Sequence, residues 1–279
     1  MENDDLLIIA GKGQYPQKLL EGARKAGVGR IGVLGFRGQT SRALCAQADC
    51  SARFGVGEVA RIREWAGAAG FHNAVLAGQI SPLALFATRF DAEARRVLSS
   101  LRVKSAHSIF SAVIGLFESA GLQFLPASVY MDDCLPAAGL LSSRAPDERE
   151  LADIARGRAA AEALGAVDVG QTVVVKDGMV LAAEAFEGPN AAIKRGASLG
   201  GAGAVVVKGA RDGHDMRFDI PVVGLATMCR LARSRVSALA FQAGRTILLD
   251  RAKFLDLANR RGIAVVAFDS GLPPAPLRP

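Results

Sequence analysis

The stretch "LLIIAGKGQYPQKLLEGARKAGVGRIGVLGF", residues 6–36, contains one complete strand–helix–strand pattern. Two short apolar runs at 6–11 and 30–36 flank a segment at 17–27 whose apolar residues have helical spacing and which ends at a glycine. A third apolar run, "NAVLAG" at 73–78, follows a second helical pattern. Because strands that alternate with helices form parallel sheets, this pattern predicts an N-terminal Rossmann-like open sheet.

The second half of the chain predicts a further α/β domain. A helical pattern at 147–165 begins at Asp147, which can cap it. Within 171–188, the pair Asp177-Gly178 lies between two apolar runs, as in a β-hairpin. Helix and strand patterns then alternate as far as residue 268. We therefore expect an N-terminal Rossmann-like domain at 1–130, a linker at 131–146 and a C-terminal α/β domain with the candidate catalytic loop at 147–279.

Between these regions, a long helical stretch is predicted from about Asp91 to Gly121. The segment 107–125 has a broad apolar face, which is typical of a core helix. An acyl-chain groove and an oligomer interface are the alternatives for this face.

Composition limits the compartment and the partners. The chain has 279 residues, 50% of them hydrophobic, a net charge of +7 and a pI near 9.6. A basic protein attracts phosphorylated metabolites, anionic membranes or nucleic acid, but two Tyr, one Trp and no recognisable binding motif disfavour nucleic acid. The four cysteines are scattered and predict reduced, mostly buried thiols. The acidic N-terminus is unlike a signal peptide, so we expect a cytoplasmic protein.

Two glycine-containing turns are candidate binding sites. "AGKGQYP" (10–16) and "AGQISP" (77–82) each follow a predicted parallel strand, and parallel strands end at one edge of the sheet. Glycine lets a backbone approach a ligand, and a helix N-terminus offers free N–H groups to a phosphate. A tight turn without a ligand is the alternative. The predicted ligand contacts are Gly11, Lys12, Gly13, Tyr15, Gly78, Gln79 and Ile80.

A second group of candidates lies in the C-terminal half. Glu187-Gly188-Pro189-Asn190 forms a predicted turn in which Asn190 caps the following helix. Lys194 follows one turn later, and Lys208 ends a buried strand. Solvated lysines and an ordinary turn are the alternative interpretation of these residues.

The most unusual stretch is "GHDMRFDIPVVGLATM" (213–228), which collects its charges before an apolar run. Asp215 and Asp219 flank Arg217, so two carboxylates and a guanidinium lie close together. Aspartate oxygens suit Mg²⁺, and the planar guanidinium suits a phosphate. The alternative is a surface ion-pair cluster of little energetic weight.

The chain resembles the UDP-2,3-diacylglucosamine pyrophosphatases of the LpxI type in four stretches. These are "IAGKGQYP", "AGQISP", "AAEAFEGPNAAIKRG" and "KGARDGHDMRFDIPVVGLATM". The resemblance implies a hydrolase of lipid A biosynthesis, dependent on Mg²⁺ or Mn²⁺, that releases UMP and 2,3-diacylglucosamine 1-phosphate. It implies Asp215, Arg217, Asp219, position 226 and Thr227 as catalytic residues, with Asp215 and Asp219 on the metal. It also implies a homodimer, a substrate held between two domains, and contact with the cytoplasmic face of the inner membrane through the acyl chains.

The chain departs from the family pattern at two positions. The family has an acidic residue where this chain has Ala226, and its turn reads E-G-T-D where this chain has residues 187–190. Asn190 keeps one oxygen ligand, whereas Ala226 removes a carboxylate from the candidate site. Either other residues supply that carboxylate, or the chain holds substrate and hydrolyses it slowly.

Two other functions remain open at the level of sequence. One is a non-catalytic protein that binds a sugar nucleotide or a lipid. The other is an oxidoreductase, which the turn at 10–16 disfavours because it lacks the third glycine of a dinucleotide fingerprint.

Overall fold

The computed structural model of the chain describes residues 5–80, 88–102, 106–209, 215–218 and 220–269. It divides into two compact units, each with its own sheet. Unit 1 comprises Met1–Asp132 and Asp215–Asp219, and unit 2 comprises Asp133–His214 and Ile220–Pro279. Unit 1 combines helices with a parallel sheet and unit 2 combines helices with a mixed sheet, which confirms the predicted α/β fold class.

Unit 1 is built on a five-stranded parallel sheet with the order β3-β2-β1-β4-β5. This is the strand order of Rossmann-like folds, and it reverses between β1 and β4. The strands are β1 (Asp5–Ala10), β2 (Arg30–Phe36), β3 (Cys50–Phe54), β4 (Asn73–Ala77) and β5 (Gln123–Phe124). The helices are α1 (Tyr15–Lys25), α2 (Arg42–Cys45), α3 (Val59–Ala69), α4 (Ala92–Ser100) and α5 (Ala106–Glu118).

The helical region predicted at 91–121 is two helices, α4 and α5, in the structure. Asp91 caps α4 by accepting a hydrogen bond from the amide of Ala94. The helix ends because Leu101 adopts an extended backbone (φ −83°, ψ 125°). On α5, Ile114 and Phe117 are buried in the core of unit 1, as the apolar face predicted.

Unit 2 is built on a six-stranded sheet of order β6-β13-β11-β9-β7-β8 and a two-stranded parallel pair, β10-β12. The larger sheet consists of β6 (Gly139–Leu140), β7 (Thr172–Lys176), β8 (Met179–Ala183), β9 (Val205–Lys208), β11 (Ala238–Gln242) and β13 (Ala264–Phe268). The pair consists of β10 (Val222–Val223) and β12 (Ile247–Leu248). The helices are α6 (Glu148–Ala166), α7 (Pro189–Gly200), α8 (Leu225–Arg233) and α9 (Arg251–Arg260). β6 lies within the segment predicted as a linker.

Alternate residues of the central strands pack on opposite faces of the second sheet. Val173 and Val175 of β7 form a cluster with Ala161 of α6. Val174 packs instead in the larger core, whose helical members come from the other three helices: Ile193 of α7, Met228 and Leu231 of α8, and Phe254 and Ala258 of α9. Helix α6 therefore covers one face of this sheet, and α7, α8 and α9 cover the other.

Two local predictions in unit 2 are confirmed. Asp147 accepts a hydrogen bond from the amide of Glu150, whose side chain in turn accepts one from the Asp147 amide, so the pair forms a capping box. Asp177 and Gly178 turn the β7–β8 hairpin with positive φ angles of 51° and 78°. The buried carboxylate of Asp153 accepts hydrogen bonds from both of their amides.

The cysteines are free, as predicted, but only Cys45 is buried, whereas Cys50, Cys134 and Cys229 are half-buried. The prediction of mostly buried thiols is therefore wrong. Among the described residues, no helix has the length and apolar character needed to cross a bilayer.

Candidate functional site

In unit 1, the turns after β1 and β4 bond directly to each other. The amide of Gly11 donates to the carbonyl of Ala77 at 2.8 Å. Lys12 and Gln79 exchange two backbone hydrogen bonds, of 2.8 and 3.1 Å. Both turns therefore lie at the edge where the strand order reverses, which is the usual ligand site of open α/β sheets.

The glycines of these turns allow the two backbones to approach each other. A Cβ at Gly11 would lie 2.5 Å from the carbonyl oxygen of Gln79, and one at Gly78 would lie 2.7 Å from that of Lys12. Gly78 also has a φ of +86°, which favours glycine. Gly11 and Gly78 thus serve contact between the turns, while the side chains of Lys12 and Gln79 are exposed at the edge.

Helix α1 begins beside this contact. Its N-cap residue, Gln14, makes no side-chain capping hydrogen bond, and Gly13 before it is exposed with a φ of +102°. Tyr15 is buried, and its hydroxyl donates to the carbonyl of Ala127. Burial raises the pKa of the Tyr15 hydroxyl. Tyr15 therefore packs within unit 1, and Ile80 is half-buried against the same unit's core.

The segment 215–218 belongs to unit 1, where Arg217 joins two carboxylates. Its Nε and Nη2 donate to Asp215 at 2.9 and 2.6 Å, and its Nη1 donates to Glu118 at the end of α5 at 2.7 Å. The hydrogen bond from Arg217 holds the pKa of Asp215 below its usual value. Hydrogen bonds to Asp215 and Glu118 raise the pKa of Arg217 further. All three guanidinium nitrogens are thus engaged within unit 1.

The rest of the segment also packs on unit 1. The ring of Phe218 stacks on Phe110 of α5, with centroids 5.6 Å apart, and lies 5.2 Å from the His107 ring. The amide of Ala127 donates to the carbonyl of Met216 at 2.6 Å. Asp219, predicted with Asp215 as a metal ligand, lies outside the described residues.

In unit 2, the other candidate residues gather at one edge of the sheet. β8 and β9 both run antiparallel to β7, and β11 runs parallel to β9. The carboxyl ends of β8, β9 and β11 therefore lie at the same edge of the sheet. The turn at 187–190 follows β8, and Lys208 ends β9. The Nζ of Lys208 donates to the carbonyl of Val222 at 3.0 Å, which connects it to the strand before α8.

The turn at 187–190 differs from the prediction in its cap. Gly188 is the N-cap of α7, with a φ of 81° and no side-chain cap, and Pro189 occupies the first helical turn. The prediction of Asn190 as the cap is wrong because proline, whose φ suits a helix start, begins the helix one residue earlier. Glu187 is paired with Arg195 at 2.6 Å, and the Arg195 hydrogen bond lowers the pKa of Glu187. The side chain of Lys194 is exposed.

Helix α8 places Ala226 and Thr227 in its first turn. Its N-cap is Gly224, again without a side-chain capping bond. Ala226 is exposed and Thr227 is half-buried. Arg230, one turn after Ala226, shares its side of the helix, so a carboxylate at 226 would face a guanidinium.

Three of the predicted site segments therefore share one local arrangement. Each of them lies at the start of a helix that no side chain caps. The segments are 11–15, 187–190 and 226–227. The first amides of such a helix have no partner within the helix, and the helix dipole favours an anion there. This arrangement suits phosphate groups in each unit taken by itself.

Metal binding has less support from the described residues. Both carboxylate oxygens of Asp215 accept hydrogen bonds from Arg217. No group of three or more His, Cys, Asp or Glu able to hold a metal ion occurs in the described parts of the chain. These residues therefore do not form a metal cage by themselves.

Sequence reasoning missed Glu118 and Thr40. Glu118 contacts Arg217 across 99 residues of sequence, and no local pattern signals such a pairing. The hydroxyl of Thr40 donates to the carbonyl of Ala10 and accepts from the amide of Phe36, so it joins the ends of β1 and β2.

Comparison with known proteins gives family matches over both halves of the chain. The family described as "LpxI N-terminal domain" matches residues 5–134, and "LpxI C-terminal domain" matches residues 137–266. The chain is 30% identical over 273 residues to the protein named UDP-2,3-diacylglucosamine pyrophosphatase LpxI from Caulobacter vibrioides. The alignment covers 94% of this chain and 96% of that protein.

Among solved structures, the chain is similar to the biotin carboxylase domain of a thermophilic 2-oxoglutarate carboxylase, with a TM-score of 0.29 and 12% identity. That match covers 61% of this chain and 34% of the other. The biotin carboxylase subunit of pyruvate carboxylase matches with a TM-score of 0.28 and 12% identity, over 66% of this chain and 38% of the other.

Proposed function

Since the chain belongs to the LpxI family, we propose that it hydrolyses the pyrophosphate bond of UDP-2,3-diacylglucosamine in lipid A biosynthesis. The products are UMP and 2,3-diacylglucosamine 1-phosphate. The observation that carries this proposal is the similarity to the Caulobacter vibrioides pyrophosphatase, which extends over 94% of the chain. The similarity therefore includes both units of the chain and is not restricted to the Rossmann-like unit 1.

The local structure is consistent with a substrate that carries two linked phosphates. Uncapped helix starts provide backbone N–H groups for phosphate oxygens in α1, α7 and α8. Lys12 is exposed beside the first of these helix starts and Lys194 one turn after the second. We propose that these amides and lysines, taken in each unit by itself, bind phosphate oxygens of the substrate and stabilise the charge that develops during hydrolysis.

Arg217 and Asp215 have a supporting role in this proposal. Their mutual hydrogen bonds and the contact with Glu118 fix the segment 215–218 on α5. Preorganisation of this kind places reacting groups without a cost at the moment of reaction.

A divalent cation, Mg²⁺ or Mn²⁺, is part of the proposal as the family resemblance implies it. The described residues alone do not fit such an ion, because Asp215 is engaged by Arg217. Mg²⁺ commonly binds through one or two carboxylates together with substrate phosphates.

We further propose a homodimer in the cytoplasm that contacts the inner membrane through the acyl chains of its substrate. A bilayer is where a lipid with two acyl chains resides, so a protein that acts on it must work at a membrane surface. No nucleic acid takes part.

The test is hydrolysis of UDP-2,3-diacylglucosamine presented in detergent micelles. We expect UMP and the lipid 1-phosphate in equal amounts, abolition by a chelator, and restoration by Mg²⁺ or Mn²⁺. Binding of the substrate without any turnover would favour the alternative, a non-catalytic sugar-nucleotide or lipid-binding protein. Ala226 is the feature of this chain that favours that alternative.

A further inference from the structure

Positive charge is concentrated in one part of unit 2. Residues 221–262 include eight Lys or Arg and two Asp, a net charge of +6, compared with +7 for the whole chain. Seven of the eight lie on or directly after helices α8 and α9. They are Arg230, Arg233, Arg235, Arg251, Lys253, Arg260 and Arg261.

The two helices present these residues away from the core. Helix α8 buries Met228 and Leu231, and Arg233 and the following Arg235 are exposed. Helix α9 buries Phe254 and Ala258, and its Lys253 and Arg260 are exposed. The two helices pack against each other on the same face of the sheet. We call Arg230, Arg233, Arg235, Lys253 and Arg260 the α8–α9 basic face.

Few carboxylates neutralise this face. The segment contains only Asp250 and Asp256 as acidic residues, and Asp256 pairs with Arg260 at 2.6 Å. Among the described residues, Arg233, Arg235 and Lys253 form no ion pair. Their charge is therefore available to an external anion.

The opposite face of the same sheet lacks this excess of positive charge. Residues 144–168, which contain helix α6, include six Asp or Glu and four Arg. Helix α6 packs on Val173 and Val175, whereas α8 and α9 pack on the other face, with Val174. Unit 2 is thus polarised across its sheet, and a polarised body orients in an external electrostatic field.

We propose that the α8–α9 basic face adsorbs electrostatically to the surface of a bilayer that contains anionic lipid. The basic residues are spread over two adjacent helices, which suits an extended anionic surface better than one small anion. None of the exposed large hydrophobic residues of the described chain lies on α8 or α9, so the contact stays at headgroup level. Nucleic acid is disfavoured because this face offers no aromatic side chain for base stacking.

The choice of a bilayer as partner rests on the proposed function, whose substrate carries acyl chains. Adsorption through this face would hold unit 2 at the membrane where that substrate resides. The α8–α9 basic face is distinct from the groups proposed to bind the substrate, because its side chains take no part in phosphate binding.

The test is co-sedimentation of the full-length protein with vesicles of phosphatidylcholine alone or mixed with phosphatidylglycerol. We expect binding only to the mixed vesicles at about 0.1 M salt and release at about 1 M, where the Debye length is about 3 Å. The double variant Arg233→Gln/Lys253→Gln should bind the mixed vesicles roughly 25-fold more weakly, since each basic residue contributes roughly fivefold. The matched control is Arg149→Gln/Arg156→Gln, which removes the same charge from exposed positions of α6.

An equal loss in the control, or binding that survives high salt, would overturn the proposal. Tighter binding to duplex DNA than to the mixed vesicles at the same salt would overturn it as well. Hydrolysis in detergent micelles separates this inference from the proposed function, because both double variants should retain the parent rate there. A parent that binds the vesicles but hydrolyses nothing in micelles would refute the function and leave the adsorbing surface intact.

Discussion

Arg217 shows how one side chain fixes a segment that the sequence suggests is catalytic. Its guanidinium donates two hydrogen bonds side by side to Asp215 and a third to Glu118, a bidentate geometry that a lysine ammonium does not match. We therefore expect Arg217→Lys to lower the free energy of unfolding by about 1 kcal/mol, a modest value because the pair is partly exposed. Hydrogen exchange should become faster at the amide of Phe218, which bonds to Asp215.

Urea unfolding and amide exchange measure these two effects. Arg61→Lys is the matched control, since Arg61 pairs with Glu58 on the surface of the same unit and contacts no candidate site. An Arg217→Lys protein as stable and as protected as the parent would show that the guanidinium does not hold the segment.

Ala226 is the residue on which the rate of hydrolysis is expected to depend. Ala226→Asp adds a carboxylate to the first turn of α8, where the family has one and where the helix dipole favours it. We expect the single-turnover rate at saturating Mg²⁺ to rise at least tenfold, because a contact made only in the transition state changes kcat and not substrate affinity.

Ala226→Asn separates the charge from the change in size. It should leave the rate near that of the parent. Equal rates for Ala226→Asp and the parent would mean that position 226 is an ordinary exposed helix residue and that the reaction uses other carboxylates.

At the level of elements, the buried carboxylate of Glu150 stabilises the start of α6. Glu150 pairs with Arg144 at 2.8 Å and completes the capping box with Asp147. Although burial opposes it, hydrogen bonds from Arg144 lower the pKa of Glu150 from 4.5 to about 2. A lowered folded-state pKa means that the stabilisation is complete above the unfolded value, near 4.5, and is lost as the pH falls towards 2.

We therefore expect Glu150→Gln to flatten the pH dependence of the free energy of unfolding between pH 4.5 and 2. The pH-dependent part amounts to roughly 3 kcal/mol. Urea midpoints measured across this range provide the comparison. Glu148→Gln, an exposed change two residues earlier in the same helical turn, should leave the slope unchanged. A Glu150→Gln slope equal to that of the parent would contradict the assignment.

Elements with strong local signals could be predicted from the sequence, and those held by distant contacts could not. The β7–β8 hairpin follows from Asp177-Gly178, and the start of α6 from its cap at Asp147, since both signals lie within a few residues. β6 and β10 are two residues long and exist through pairing with distant strands. The same limit applies to the site, where the glycine turns and the neighbouring Asp215 can be identified in the sequence but Glu118, the distant partner of Arg217, cannot.

For the whole molecule, the family matches divide the chain near residue 135, but unit 1 also includes 215–218. We expect a chain that ends at Asp132 to lack protection at the amide of Ala127, which bonds to Met216 in the full chain. Loss of the stacking between Phe218 and Phe110 should cost such a fragment a further 0.5–1.5 kcal/mol or so.

Hydrogen exchange by mass spectrometry on the fragment and the full chain measures this difference. Full-length Phe218→Ala serves as the companion variant, because it removes the ring and keeps the backbone. Equal protection of Ala127 in all three proteins would show that unit 1 is complete without the segment.

The return of residues 215–218 to unit 1 has a consequence for how the protein is made. The ribosome delivers the first 132 residues well before Met216 and Phe218, and at 5–20 residues per second the interval is about 4–17 s. During that interval α5 has emerged without the ring that stacks on Phe110 and without the guanidinium that meets Glu118. The N-terminal unit therefore lacks one of its segments while residues 133–214 of unit 2 are synthesised. A slow codon run or a chaperone that acts in this window would change the yield of folded protein without altering a single amino acid.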